Sequence, residues 1–362
     1  MKSQVLLGAI LVVSTFFSSS TSWASDAPLT LKVAGYKVDR VRALFEGKVK
    51  IEGVEASFHQ AGIGDLNTEL FSGPQSYDVT EVGLHPFILA VANEGFDDYQ
   101  LLPVYPIRVF RHKSIFIRTD RGINTPQDLK GKTIATAGYS STSLTWIRGI
   151  LRSEYGVKPE DIKWVISRKD SSAKAAGKIS SQEQVLPKGL NISFGPEGMS
   201  ESDLLAEGQV DAVFHAAEPQ AYIDGHPKIG RLFPDSMSVE QDYYGRTGIF
   251  PIMHAVAIRK SLLADYPELA RAVFDAYSLA KQEDYASMDL GWAYNSVPWY
   301  PQVLEQTRSV MGENFWPYGV EPNKKALEAL LSYSYQQGLS QKKLTLDQLF
   351  PNNFKFEELG DK

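Results

Sequence analysis

The sequence has no cysteine among its 362 residues, which excludes disulfides, thiol nucleophiles, thiolate metal centres and lipid-modified cysteines. It also lacks an excess of positive charge. Thirty-seven lysines and arginines against 43 aspartates and glutamates give a formal net charge of -6, so there is no broad footprint for nucleic acid or an anionic membrane surface. An anionic ligand must therefore meet a local site. Missing too are a phosphate-loop lysine motif, a Gly-x-Ser-x-Gly elbow and a His-Glu-x-x-His helix. Gly62-Ile63-Gly64 lies between a strand and a helix, but Asn67 stands where a third dinucleotide-binding glycine would be. The six histidines, His59, His85, His112, His215, His226 and His254, show no metal-ligand spacing, so neither a metal nor a cofactor is expected. What remains, 43% hydrophobic and 22% charged residues, is the composition of a globular protein large enough for two domains.

The amino terminus carries an apolar run, Val5 to Phe17, after Lys2 and before the small, polar stretch Ser18 to Ala24. That is the plan of a secretory signal peptide, too short and wrongly flanked for a membrane span. Ser22-Trp23-Ala24 puts small residues at the two positions a signal peptidase reads, so cleavage after Ala24 and a periplasmic chain starting at Ser25 are expected.

Beyond Asp26, short apolar runs alternate with amphipathic stretches, the pattern of an α/β fold. Strands are expected at 29–34, 54–59, 78–82, 101–104, 114–117, 133–135, 162–166, 190–194, 212–215 and 255–258. A helix should start at Ser140-Ser141-Thr142-Ser143, with Leu144, Ile147, Ile150 and Leu151 on one face, and a second should run from Ser200 to Gly208. The Ser-, Lys- and Ala-rich stretch 167–188 reads as an exposed excursion. Helices are expected at 261–288 and 323–337, separated by an aromatic and proline-rich stretch at 292–316. Two crossings, near 111–119 and 252–259, would divide the chain into lobe one (25–112 plus 257–362, with the C-terminal helices) and lobe two (113–256). Ligands usually bind in such a cleft.

Three groups could build a ligand site. The first is Arg108, Arg111 and His112 in the stretch Tyr105 to His112, since a guanidinium fork pairs with both oxygens of a carboxylate. In a strand Arg108 and His112 share one face and Arg111 takes the other, and a structural salt bridge is the alternative for each. The second is Tyr139, Ser140, Ser141 and Thr142, where a helix start plus hydroxyls makes an anion cradle or simply a cap. The third joins strand-end residues, Glu81, His215 and Glu218, to the aromatic run with Tyr243, Arg246 and Phe250. Helix capping and interlobe packing are the alternatives there.

The order of short motifs carries a resemblance. Pro103-Val104-Tyr105-Pro106 with Arg108, Phe110-Arg111-His112, Asp128 to Lys132, Trp146 to Leu151 and Glu154 to Val157 resemble the 4,5-dihydroxyphthalate decarboxylase family, as do Gly208 to Ala212, Arg231 to Pro234 and Gly248 to His254. That family is similar in turn to type II periplasmic solute-binding proteins. The resemblance implies a two-lobed type II periplasmic-binding-protein-like fold with two interlobe crossings and a C-terminal helical part. Export points to a monomeric receptor with no catalytic residues, which hands a small, aromatic carboxylate to the permease of an ABC transporter. The alternative is an exported lyase in which an arginine holds one carboxylate while His112 or His254 relays a proton to the ring. A third reading is a sensor subunit passing its ligand to a signalling receptor.

Overall fold

The computed structural model describes residues 28–358; the leader read at 1–24 lies outside them. Eleven strands are present among the described residues: β1 (Leu29–Gly35), β2 (Val54–Gln60), β3 (Val79–Gly83), β4 (Tyr99–Leu102), β5 (Ile115–Arg118), β6 (Thr133–Thr136), β7 (Lys163–Ile166), β8 (Ile192–Phe194), β9 (Ala212–Phe214), β10 (Ile229–Arg231) and β11 (His254–Arg259). They form two sheets, ordered β2-β1-β3-β11-β4 and β10-β5-β9-β6-β7-β8. In the first, β1, β2 and β3 are parallel and β11 enters antiparallel between β3 and β4. In the second, β6 to β9 are parallel, and β5 and β10 close one edge antiparallel. The fully buried runs Val79 to Gly83 and Ile115 to Arg118 lack alternation because both faces of each strand are covered. Ile229-Gly230-Arg231 is too short to show any period, which hid β10 from the sequence reading.

Two crossings join the lobes, each a little earlier than expected. Because β5 lies wholly in the second sheet, the outward crossing is the irregular stretch between Leu102 and Ile115. The return precedes β11, so the expected boundary at 256/257 falls inside a strand of the first sheet. The crossings run side by side and antiparallel, bonded from Val109 N–H to Pro251 O (3.1 Å) and from Met253 N–H to Ile107 O (2.9 Å), with an isolated bridge between Arg108 and Ile252.

The helix Thr142–Tyr155 is buried from Thr142 through Leu151. Its Trp146 and Ile150 join the larger core around the first sheet, while Leu144, Ile147 and Leu151 join the second core. The C-terminal helix Lys324–Gln336 does not rest on lobe one alone. It packs against this central helix, where a Cβ at Gly149 would lie 2.1 Å from the Tyr333 ring. Polar contacts finish the joint: Arg148 Nε donates to Gln337 Oε1 (2.8 Å), and His85 bridges Ser140 O (2.6 Å) and Ser334 Oγ (2.8 Å). Burial pulls the His85 imidazole down to about 3, so it is neutral here. The stretch 292–316 contains a helix, Tyr300–Met311, whose proline sits in the first turn, where no intrahelical N–H bond is lost.

At the carboxyl end, Lys281 on the long helix Leu269–Tyr294 meets Glu358 at 2.6 Å with both side chains buried, and Glu358 also accepts from Tyr318 N–H (3.0 Å). Glu358→Gln should destabilise the fold by about 3 kcal/mol, because the buried Lys281 ammonium loses the Glu358 charge. Urea unfolding of the two proteins measures this.

Candidate functional site

Where the lobes meet, a cleft of about 320 Å³ is lined by residues of both sheets' loops and both crossings. That volume suits a single-ring ligand. The central helix points its amino terminus into it: Ser141, Thr142, Ser143 and Leu144 line the wall. The Ser141 hydroxyl caps the turn by accepting from Leu144 N–H (3.3 Å), and Thr142 Oγ1 accepts from His85 N–H (3.0 Å). The first N–H groups of any helix have no intrahelical acceptor, so this end attracts an anion. Ser140 and Tyr139 turn away. The Ser140 hydroxyl donates to Gln182 O (2.6 Å), and the Tyr139 ring is stacked under the Arg148 guanidinium, 3.7 Å away, and edge-on to Trp164.

Arg111 comes from the outward crossing and lines the cleft. It is 5% exposed, yet no carboxylate lies within ion-pair distance among the described residues. Nη1 donates to Ala216 O (2.8 Å) and Ser114 Oγ (3.3 Å), and Nε faces Met253 Sδ (3.2 Å). Burial lowers its pKa to about 9, which leaves the guanidinium charged at neutral pH. Arg108, its expected companion, is instead a packing residue: it donates to Phe250 O (2.8 Å) and Pro317 O (3.3 Å) and stacks on Phe250.

Other expected residues are also placed outside the cleft, each for a packing reason. His112 is enclosed edge-on by Tyr155, Phe233 and Tyr243 with neither ring nitrogen bonded, and burial pulls it down to about 4. Tyr243 is core, and Phe250 stacks on Phe110 at 4.5 Å. Arg246 pairs on the surface with Glu154 and Asp242, and Glu218 pairs with Arg231.

Two imidazole–carboxylate groups face the cleft, one from each lobe. His254, at the start of β11, places Nδ1 2.5 Å from Glu81 Oε1, and the other Glu81 oxygen accepts from Tyr36 N–H (2.9 Å). Glu81 is buried behind the histidine, while the Tyr36 ring stacks on its face at 5.8 Å. Tyr36 in turn accepts from Ile63 N–H (2.8 Å), and burial raises its hydroxyl pKa. On the other wall, His215 follows β9 and puts Nε2 3.2 Å from Asp170 Oδ1 and 3.3 Å from Glu201 Oε1. Burial opposes charge on His215, but the Asp170 hydrogen bond and the Glu201 charge outweigh it and raise its pKa.

Asp170 belongs to the stretch read as an exposed excursion. The structure corrects that reading: Asp170, Ser172, Gly177, Ile179 and Glu183 form one side of the cleft. Polarity misled, because a segment bound through hydrogen bonds to the opposite lobe needs few large apolar residues. Glu183 Oε2 accepts from Asn67 (3.3 Å) of lobe one, and Gln182 donates to Glu94 (3.0 Å). Gly62 and Gly64 explain themselves here. A Cβ on Gly64 would sit 2.2 Å from Lys178 O, so these glycines admit the backbone of the covering segment.

Comparison with known proteins adds descent to this geometry. The chain is 35% identical over 323 residues, 89% of its length and 96% of the relative's, to a 4,5-dihydroxyphthalate decarboxylase of Comamonas testosteroni. The chain belongs to the 4,5-dihydroxyphthalate decarboxylase family. A Pseudomonas putida protein of the same name is 33% identical over 60% of this chain and 81% of its own. Residues 101–181 of this family member match the family described as NMT1/THI5 like. Among solved structures, the periplasmic aliphatic sulphonate binding protein SsuA from Escherichia coli aligns with a TM-score of 0.52 at 16% identity, over 91% of this chain and all (100%) of that one. A DSZB mutant in complex with biphenyl-2-sulfinic acid aligns with a TM-score of 0.53 at 17% identity, over 91% and 98%. The fold is thus the two-lobed, periplasmic-binding-protein-like α/β architecture with a helical C-terminal part.

Since the covering segment is seated by glycine contacts, Gly64→Ala should lift it. Amide exchange across 172–183, followed by mass spectrometry, should quicken about tenfold or more while the β1 and β3 amides keep their protection. Unchanged exchange in 172–183 would show that the contact does not hold the segment.

Proposed function

We propose that the cleft binds a small aromatic carboxylate and removes one carboxyl group from it by proton transfer. Arg111 carries this reading: a buried guanidinium with no carboxylate at ion-pair distance among the described residues, set in the same cleft as a histidine backed by a buried glutamate. A ligand carboxylate would take the Arg111 fork and the N–H groups at the start of the Thr142–Tyr155 helix. His254, with Nδ1 fixed on Glu81, has Nε2 available to protonate the ring carbon that bears the carboxylate. The carbon–carbon bond then breaks, its electron pair returns to the ring, and carbon dioxide leaves. One proton is consumed, and Glu81 holds the His254 ring in place for that transfer. An electron-rich, hydroxylated ring suits this chemistry, and the relatives' name supports a dihydroxyphthalate as the substrate class. The other relay candidate, His112, is walled off by aromatic rings.

One observation favours a second reading. The export-type leader at Lys2 to Ala24, together with the fold shared with SsuA, supports a periplasmic, monomeric receptor that passes the same class of acid to an ABC transporter permease. Capture is common to both readings; only the fate of the acid differs.

Calorimetry of the purified mature chain with 4,5-dihydroxyphthalate, coupled to carbon dioxide detection, tests both. Arg111→Ala should weaken binding about thirtyfold or more, since stripping one partner from a desolvated charge pair costs about 2 to 5 kcal/mol. His254→Ala should bind the acid yet release no carbon dioxide. Tight binding with no gas from the wild type would remove the lyase reading and leave the receptor. Full affinity in Arg111→Ala would overturn the carboxylate clamp. Amino-terminal sequencing of the periplasmic fraction should begin at Ser25; an intact Met1 chain in the cytoplasm would remove the receptor reading.

A further inference from the structure

We propose that Asp170, Glu201 and His215 form a divalent-cation site on the cleft wall, which takes two adjacent oxygens of the bound ligand. The three donor atoms lie within 4.8 Å of one another, with His215 Nε2 3.2 Å from Asp170 Oδ1 and 3.3 Å from Glu201 Oε1. Donors placed about 2.1 Å from a shared ion are separated by about 3.0 Å in octahedral and about 3.4 Å in tetrahedral geometry, so both imidazole–carboxylate distances already suit a shared ion.

Charge supports the same assignment. Two carboxylates converge on one imidazole, and no lysine or arginine lies within ion-pair distance of either acid among the described residues. Even a protonated His215 leaves one negative charge uncompensated at side chains that are 4%, 13% and 0% exposed. A divalent cation beside a neutral imidazole brings the sum to zero.

The surroundings are those of a braced ligand set. His215 Nδ1 lies 3.0 Å from both the Ala217 carbonyl oxygen and the Ala217 backbone nitrogen, which fixes the ring with Nε2 turned toward the two acids. Asp170 Oδ1 accepts from Ser172 N–H (2.7 Å) and the Ser172 hydroxyl (2.8 Å). Glu201 accepts from Ser171 N–H (3.2 Å) and from the Ser167 (3.2 Å) and Ser171 hydroxyls. Asp170 and His215 line the cleft whereas Glu201 lies behind them, so vacant coordination positions would face the ligand. One imidazole and two carboxylates without sulfur favour Mn²⁺, Fe²⁺ or Zn²⁺. The ligand's part in the site rests on the reading of the cleft as an aromatic-acid pocket, where vicinal hydroxyls would be the chelating pair. The ion's binding does not.

The experiment uses the purified mature chain, stripped with a chelator and titrated with Mn²⁺ or Zn²⁺ by calorimetry and, for Mn²⁺, by electron paramagnetic resonance. One ion per chain is expected. Asp170→Asn and His215→Gln should each weaken it at least tenfold, while Arg111→Ala keeps full stoichiometry; circular dichroism melts confirm that the variants fold. Adding catechol should change the Mn²⁺ spectrum of the wild type. Equal affinity in the wild type and both ligand variants would overturn the site, and an unchanged spectrum under saturating catechol would overturn the chelating role. Failure of carbon dioxide release leaves the ion count untouched, so the two proposals fail separately.

Discussion

The helix Thr142–Tyr155 is buried on every side over its first ten residues, and the architecture is arranged around that burial. A helix that is apolar all round suits the centre of a protein, yet this one carries Arg148 at 1% exposure. The guanidinium is accommodated by stacking on Tyr139 and by donating to Tyr139 O and Gln337 Oε1, with no carboxylate at ion-pair distance among the described residues. Oxygen acceptors and a ring face spread the charge without introducing a second ion that would need its own desolvation. Because both cores contribute to the helix's surroundings, its amino terminus is held where the lobes meet. A loop could not hold an anion-binding end there with the same rigidity.

The antiparallel pairing of the crossings has a parallel effect on side chains. Ile107 and Val109 on one crossing bond to Met253 and Pro251 on the other, so Arg111 and His254 reach the same cleft from segments far apart in sequence. Each lobe then adds one imidazole with its acid. The helix start and Arg111 share the cleft with two acid-backed histidines, a set of groups suited to a ligand that carries both carboxylates and hydroxyls.

Much of this was legible in the sequence. Short β-branched runs marked most strands, the run of serines and threonines marked the central helix start, and the basic cluster contained Arg111. The choice between Arg108 and Arg111 was not legible, because the parity argument assumes a regular strand and the stretch between Leu102 and Ile115 is irregular. His215 and Glu81 were visible as strand-end residues, but their acid and imidazole partners, Asp170 and His254, lie 45 and 173 residues away. Asp170 sat in a segment whose polarity reads as solvent exposure, when its polar groups are spent on His215 and Glu201 in its own lobe and on Asn67 and Glu94 in the other. Tyr36 and Gly64 gave no signal beyond ordinary turn chemistry, since close backbone approach leaves no periodic trace.

The lobes are tied by hydrogen bonds well away from the crossings: His85 to Ser140, Asn67 to Glu183 and Gln182 to Glu94. A rigid-body opening would have to break all of these together with the shared burial of the central helix. The easier passage is local release of the short covering segment, which depends on a few polar contacts and glycine-backed seats. Residence time in the cleft would then follow the stability of that one segment, and temperature could speed ligand exchange well below the point at which the two cores loosen.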